Sequence, residues 1–325
     1  MPSIKRIAVL TSGGDASGMN PCIRSVVRTG IYKGFEVFGV KHGYRGLIDD
    51  EFIEMDLSSV GHIINRGGTI LRTSRSEGFL TLEGRKKAYD NLVKRSIGAL
   101  VVIGGDGTFR GAVDFINDFD YPVIGIPATI DNDIAGTEYS LGYDTAVNVA
   151  MNAIDNVRDT AFSHERLFLV EVMGRHAGYI AMEAGIASGA GEILIPETIT
   201  VINDVIANLE SGRRRGKLSN IVVVAEGDDA GGAFDIAKLI EGKTSYEVRV
   251  IILGHMQRGG SPTAYERLMA SRFGYQAIKA IMNGDFSKTV AVSGGKQVLI
   301  DLANATRKPS KIREDDLDMI VGLAL

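Results

Sequence analysis

A chain of 325 residues exceeds the length at which one hydrophobic core usually keeps growing, so two domains are the leading expectation, and 45% hydrophobic with 23% charged residues excludes a disordered chain. Its 36 Lys and Arg against 40 Asp and Glu leave a net charge of −4, which offers no global positive field to nucleic acid or an anionic membrane. The single cysteine, Cys22, has no disulfide partner, and neither a charged-then-apolar leader nor an uninterrupted apolar span of membrane length occurs, so the expected compartment is the cytoplasm.

Residues 4–10 form a short apolar run that ends in Thr11-Ser12-Gly13-Gly14-Asp15, and residues 19–30 then carry the apolar spacing of a helix. This reads as strand, turn and helix. The order recurs at 99–103, followed by Gly104-Gly105-Asp106-Gly107-Thr108, and at 123–126, followed by Pro127. It recurs at 167–172, which ends in Met173-Gly174-Arg175, and at 221–225, which ends in Glu226-Gly227. Near-continuous Val/Ile/Leu runs that leave into glycine are expected of parallel strands covered on both faces, with ligands at their carboxyl ends. The reading is a doubly wound α/β protein without an evident linker.

Glycines at a strand-to-helix turn let backbone N–H groups approach phosphates, and Asp106 is placed to hold Mg²⁺. A structural turn uses such glycines too, and Asp15 alone is equally a helix cap. Thr129-Ile130-Asp131-Asn132-Asp133 is, in isolation, a polar turn; in phosphoryl transfer Asp131 would accept a hydroxyl proton while Thr129 and Asp133 organise substrate and metal-bound water. Arg166, Arg175, Arg249 and Arg258 lie near the ends of predicted strands, where guanidinium forks would match phosphate oxygens, although any one of them also suits a solvated surface. Gly242-Lys243-Thr244 looks like the tail of a P-loop, but Ala237 stands where the upstream glycine is required. The five histidines and the cysteine show no zinc spacing, which leaves Mg²⁺ carried by phosphate as the expected metal.

The strings TSGGDASGMN, INRGGT, VVIGGDGT, IPATIDNDI, EVMGRHAG, AEG and LGHMQRGGSPT occur here in the order of the bacterial ATP-dependent 6-phosphofructokinases. The chain resembles that family over nearly its whole length, whereas NAD kinases and diacylglycerol kinases are similar only around GGDGT. The resemblance implies two similar doubly wound, Rossmann-like domains with mainly parallel sheets, the chain crossing between them more than once. Residues 1–141 with 256–306 would bind nucleotide, and 142–255 with 307–325 the sugar phosphate. It implies MgATP and fructose 6-phosphate as ligands. ATP would touch Gly14, Arg75, Ser76, Gly105, Asp106, Gly107 and Thr108, with Asp106 on the metal. Asp131 would be the base, assisted by Thr129, Arg175 and Arg75. Thr129, Asp131, Met173, Gly174, Arg175, Glu226, His255 and Arg258 would bind fructose 6-phosphate. Arg166 and Arg249 match arginines that reach the substrate phosphate from a neighbouring subunit, so a homotetramer is implied. An effector site for ADP or phosphoenolpyruvate would use Arg24, Arg28, Arg158, Arg215 and Lys217.

The chain departs from the family pattern at several positions. Ser17 stands where proline is frequent, Ala128 replaces a usual glycine, Leu57 an arginine, and Gly191 a glutamate to which Glu192 is adjacent. The pyrophosphate-dependent branch commonly has lysine at position 128 and aspartate at position 107; Ala128 and Gly107 therefore favour ATP over that alternative. A catalytically silent regulatory subunit is the other alternative, against which Asp106, Thr129, Asp131 and Arg175 are retained.

Overall fold

The structure, a computed structural model, describes residues 4–164, 166–216, 220–307 and 312–324. By its internal contacts the chain divides into two compact units, 1–129 with 133–145 and 258–310, and 130–132 with 146–257 and 311–325.

The first unit is built on a seven-stranded sheet of β1 (Arg6–Ser12), β2 (Glu36–Val40), β3 (Phe52–Met55), β4 (Ala99–Gly104), β5 (Val123–Pro127), β10 (Lys288–Ser293) and β11 (Lys296–Asp301). Its spatial order is β11-β10-β5-β4-β1-β2-β3, parallel except for the antiparallel edge pairs β2–β3 and β10–β11. The order reverses between β1 and β4, the switch point at which doubly wound sheets receive ligands. β1, β4 and β5 are buried almost throughout, which explains their unbroken apolar runs. One face of the unit carries an aromatic core in which Tyr44 stacks on Phe79 at 3.9 Å, with Phe115 and Tyr121 beyond. Helix Met19–Tyr32 packs on helix Ala264–Asn283, where Ser25 Oγ donates to Ser271 O at 2.5 Å. A Cβ at Gly274 would stand 2.6 Å from that of Ser25, so glycine sets the closeness of the pair.

The second unit holds β6 (Leu167–Val172), β7 (Glu192–Leu194), β8 (Asn220–Ala225) and β9 (Val248–Ile252) in an all-parallel sheet ordered β7-β8-β6-β9. Helices Ile202–Arg214 and Ala233–Glu241 cover it with Val205, Leu209, Ile236 and Ile240. No helix among the described residues is long and apolar enough to cross a membrane.

Both units are α/β with mainly parallel sheets, as the sequence leads one to expect. Strands that the apolar runs do not announce lie mainly at edges: β3 and β11 are only partly buried, and β7 has three residues.

Candidate active site

Strand register places the first unit's loops. β1 pairs with β4 so that Ser12 sits opposite Gly104, and β4 with β5 so that Gly104 sits opposite Pro127; the loops after these strands therefore emerge side by side. Thr108 Oγ1 donates to Ser12 O at 3.0 Å, tying the second glycine turn to the first. Gly104 leaves room for this bond, since a Cβ there would press on Thr108 and stand 2.5 Å from Ser12 O. Thr108 is thus buried, and its hydroxyl serves the loop from beneath.

Helix Asp106–Phe119 starts inside the glycine string, with Gly105 as its N-cap, so its first N–H groups and positive dipole end lie at the turn. Asp106 Oδ1 accepts from Gly107 N at 2.5 Å, and Oδ2 from Arg110 Nη2 at 2.6 Å. The carboxylate remains 34% exposed. Gly105 faces Thr129, whose Cβ would lie 3.4 Å from a Cβ at 105, and Gly107 has open space around it.

Arg75 is exposed on the loop after Leu71, and that loop is stitched to the first one. Thr73 Oγ1 donates to Gly13 O at 2.7 Å, Thr11 Oγ1 donates to Arg72 O at 2.9 Å, and Ser76 Oγ accepts from Phe79 N at 3.3 Å. Gly14, Arg75, Ser76 and 105–108 are therefore brought to one end of one sheet.

Arg258, expected on the sugar phosphate, lies against this same loop. Its Nη1 donates to Asp15 O at 3.2 Å and would stand 2.7 Å from a Cβ at Gly14. Ser17 is buried, and its hydroxyl lies 3.1–3.4 Å from the carbonyl oxygens of Arg258, Gly259 and Gly260. The sequence singles out Ser17 only as a departure; its work as a tie to the Arg258 loop is a tertiary fact.

In the second unit β6 pairs with β8 so that Val172 sits opposite Ala225, and the Met173–Arg175 and Glu226–Gly227 loops again emerge as neighbours. Glu226 Oε1 accepts from Gly174 N at 3.2 Å and Arg175 N at 2.7 Å. Gly174 has φ +148° and Arg175 φ +53°, so the loop is held in a conformation that side chains rarely adopt. Arg175, about half exposed, places Nε 3.5 Å from Oδ2 of the buried Asp131. Met173 is buried and His255 exposed on the segment Gly254–Arg258.

Arg166 and Arg249 meet through one carboxylate: Arg166 Nε lies 2.9 Å from Glu247 Oε2, and Arg249 Nη2 pairs closely with Oε1. The hydrogen bond from Arg166 is the main reason the Glu247 carboxyl lies below its ordinary range.

Of the effector candidates, Arg24 and Arg28 lie one turn apart on helix Met19–Tyr32, and burial followed by Arg28's charge lowers the Arg24 pKa from its usual value. Arg158 Nη2 donates to Ser188 O and Gly189 O, and Arg215 Nη1 to Ser211 Oγ at 3.1 Å. Lys217 lies outside the described residues.

In the first unit two glycine turns sit at a sheet switch point, an arrangement that suits phosphate binding, and in the second a buried aspartate is paired with an arginine. A family model described as phosphofructokinase matches residues 6–281. The chain belongs to the phosphofructokinase family. It is 50% identical over 322 residues to the ATP-dependent 6-phosphofructokinase of Halothermothrix orenii, covering 96% of this chain and 97% of that one. It is likewise 50% identical over 322 residues to the ATP-dependent 6-phosphofructokinase 1 of Thermus thermophilus, covering 99% and 100%. Among solved structures, the phosphofructokinase of Saccharomyces cerevisiae superposes with a TM-score of 0.87 at 35% identity over 93% of this chain. This chain spans 45% of the length of that yeast chain. A pyrophosphate-dependent phosphofructokinase of Marinobacter aquaeolei gives a TM-score of 0.84 at 20% identity, covering 99% of this chain and 92% of that one, which is a likeness of fold. Within the phosphofructokinase fold seen here, the glycine-containing strings at 11–15, 104–108, 173–175 and 226–227 occupy strand ends.

Proposed function

We propose that this protein is an ATP-dependent 6-phosphofructokinase, a glycolytic transferase that moves the γ-phosphoryl group of MgATP to the 1-hydroxyl of fructose 6-phosphate, giving fructose 1,6-bisphosphate and ADP. The observation that carries the reading is one loop: Thr129 packs against the glycine turn at Gly105, and Asp131, two residues on, pairs with Arg175. The names of the relatives at 50% identity over nearly the whole chain support the donor and acceptor.

In this reading Gly14, Ser76 and the N–H groups of 105–108 cradle the triphosphate, while Asp131 takes the proton of the attacking hydroxyl. Arg75 and Arg175 balance charge as it spreads over the transferred oxygens. Glu226 sets the backbone of Arg175, and Met173, Gly174, His255 and Arg258 complete the sugar-phosphate side. A magnesium ion is usually held by one or two carboxylates plus substrate phosphates, and Asp106, accessible at a helix start, fits that pattern as the protein's contribution. When bound, magnesium neutralises phosphate charge. Incubation with fructose 6-phosphate and either ATP or pyrophosphate, monitored for fructose 1,6-bisphosphate, tests the reading; no product with ATP refutes it.

Donor choice gives a sharper prediction. The space around Gly107 accepts a side chain without disturbing the fold, so Gly107→Asp acts on the ligand alone. A carboxylate there repels the triphosphate, and kcat/KM for ATP is expected to fall roughly tenfold or more, which corresponds to ~1.4 kcal/mol, while KM for fructose 6-phosphate stays put. Unchanged ATP kinetics would contradict the placement.

Arg166 and Arg249, displayed around Glu247, are proposed to serve the substrate phosphate of a neighbouring subunit in a homotetramer, and Arg24, Arg28, Arg158, Arg215 and Lys217 an ADP or phosphoenolpyruvate site. Co-assembling an Asp131 variant with an Arg249 variant is expected to restore activity in confirmed hybrids. Hybrids that stay inactive would exclude a shared site.

A further inference from the structure

Helix Ala264–Asn283 opens on Thr263-Ala264-Tyr265-Glu266, the sequence of a capping box, in which the glutamate bonds back to the threonine's own N–H. Thr263 keeps its half of the pattern, its Oγ1 accepting from Glu266 N at 3.0 Å. The Glu266 side chain, fully buried, instead reaches the start of a different helix. Its Oε1 accepts from Gly142 N at 2.8 Å, and its Oε2 from Thr145 N at 3.3 Å and Thr145 Oγ1 at 3.2 Å.

The segment so gripped leads to the chemistry. Leu141 N donates to Pro127 O at 2.9 Å, Ser140 Oγ donates to Thr129 O at 2.6 Å, and Ala128 bridges to Leu141. On the other side, Glu266 Oε1 lies 2.7 Å from where a Cβ at Gly18 would stand, at the tail of the first phosphate loop. One buried carboxylate thus holds a segment whose far side fixes the carbonyls of Pro127 and Thr129.

We propose that Glu266 is a positioning residue for phosphoryl transfer: as a carboxylate it clamps residues 142–145 and, through Ser140 and Leu141, sets the loop that carries Thr129 and Asp131. The proposal rests on the phosphofructokinase reading above. The ionised form accepts from all of these donors most strongly, whereas protonation removes the charge and directs an O–H of its own into a site lined by N–H and O–H groups, which weakens the grip. Burial raises the Glu266 carboxyl to about 6, against the lowering effect of the bonds from Gly142 and Thr145. Tyr139 of the gripped segment is the titratable group that faces it, and Tyr139 in turn feels the charge of Asp144 and the ring hydroxyl of Tyr265. Asp144 accepts from Thr263 Oγ1, and the Asp15 carboxylate of the first loop lies beside Gly68.

The clamp is tested by kcat against pH for the natural protein, Glu266→Gln and Ser140→Ala, and by amide hydrogen exchange of the natural protein without substrates. In the natural protein kcat is expected to fall as pH drops through about 6. Glu266→Gln should lower kcat at pH 8 on the order of tenfold with KM for ATP unchanged, and abolish that fall. Ser140→Ala, which cuts the link to Thr129, should lower kcat and leave the fall in place. In exchange, Gly142 and Thr145 should be protected at pH 8 and lose protection below pH 6, after correction for intrinsic rates. A fall near pH 6 that persists in folded Glu266→Gln, or protection that is constant across pH 6, overturns the proposal; the exchange arm decides if that variant does not fold. A natural protein that never phosphorylates fructose 6-phosphate would refute the enzymatic reading, while the exchange arm still reports on the clamp.

Discussion

Asp131→Asn is expected to lower turnover by ~10²- to 10⁴-fold, the usual contribution of a general base, while leaving the affinities for ATP and fructose 6-phosphate nearly unchanged. Asp131 is 2% exposed and sits on a loop held from outside by Ser140 on Thr129 O and by Leu141 on Pro127 O. Asparagine has the same shape, so that loop keeps its course. What disappears is the charge that accepts a proton and faces Arg175 at 3.5 Å. Arg175 is about half exposed, so water solvates it when the carboxylate is gone, and the fold loses little. Steady-state kinetics with a thermal midpoint on the same preparation decide the matter. A folded variant with near-normal turnover removes Asp131 from the role of base.

Gly227→Ala is expected to lower kcat/KM for fructose 6-phosphate on the order of 10²-fold, because a displacement of ~1 Å at a reacting group suffices for such a loss. A Cβ at Gly227 would overlap the carbonyl oxygen of Arg175 and stand 3.5 Å from the Cα of His176. Backbone cannot swing aside as a side chain can. The Arg175 loop must move, although its N–H groups at 174 and 175 are held by Glu226 and its φ angles are already unusual. Overpacking of this kind costs about 1–3 kcal/mol of stability, which a protein of this size tolerates. KM for ATP should stay unchanged, since the loops proposed to hold the nucleotide belong to a different sheet. Gly322→Ala, in open space and away from every loop assigned to ligands, serves as the control for the loss of a glycine as such. Equal losses for ATP and sugar phosphate in Gly227→Ala would break the assignment of the 226–227 loop to the sugar side.

The sequence by itself determined the α/β class, the parallel core strands and the glycine loops that follow them. A strand buried on both faces must be apolar throughout, and glycine must follow where backbone turns closely, so β1, β4, β5, β6 and β8 announce both themselves and the loops at their ends. Edge strands carry no such constraint. β11 is Lys-Gln-Val-Leu-Ile-Asp with one side open, and its place beside β10 is set by antiparallel pairing rather than by its own pattern. Side-chain partners distant in sequence were the other matter that only the tertiary structure decided. Thr263-Ala264-Tyr265-Glu266 reads locally as a capping box, yet Glu266 finds better donors at Gly142 and Thr145, more than a hundred residues away. Arg258 rests on Gly14 and Asp15, Ser17 is tied to the loop that carries Arg258, and Glu247 gathers Arg166 and Arg249. The physical reason is the same in each case: local sequence limits which donors and acceptors a residue owns, and only the packed chain decides which of them meet.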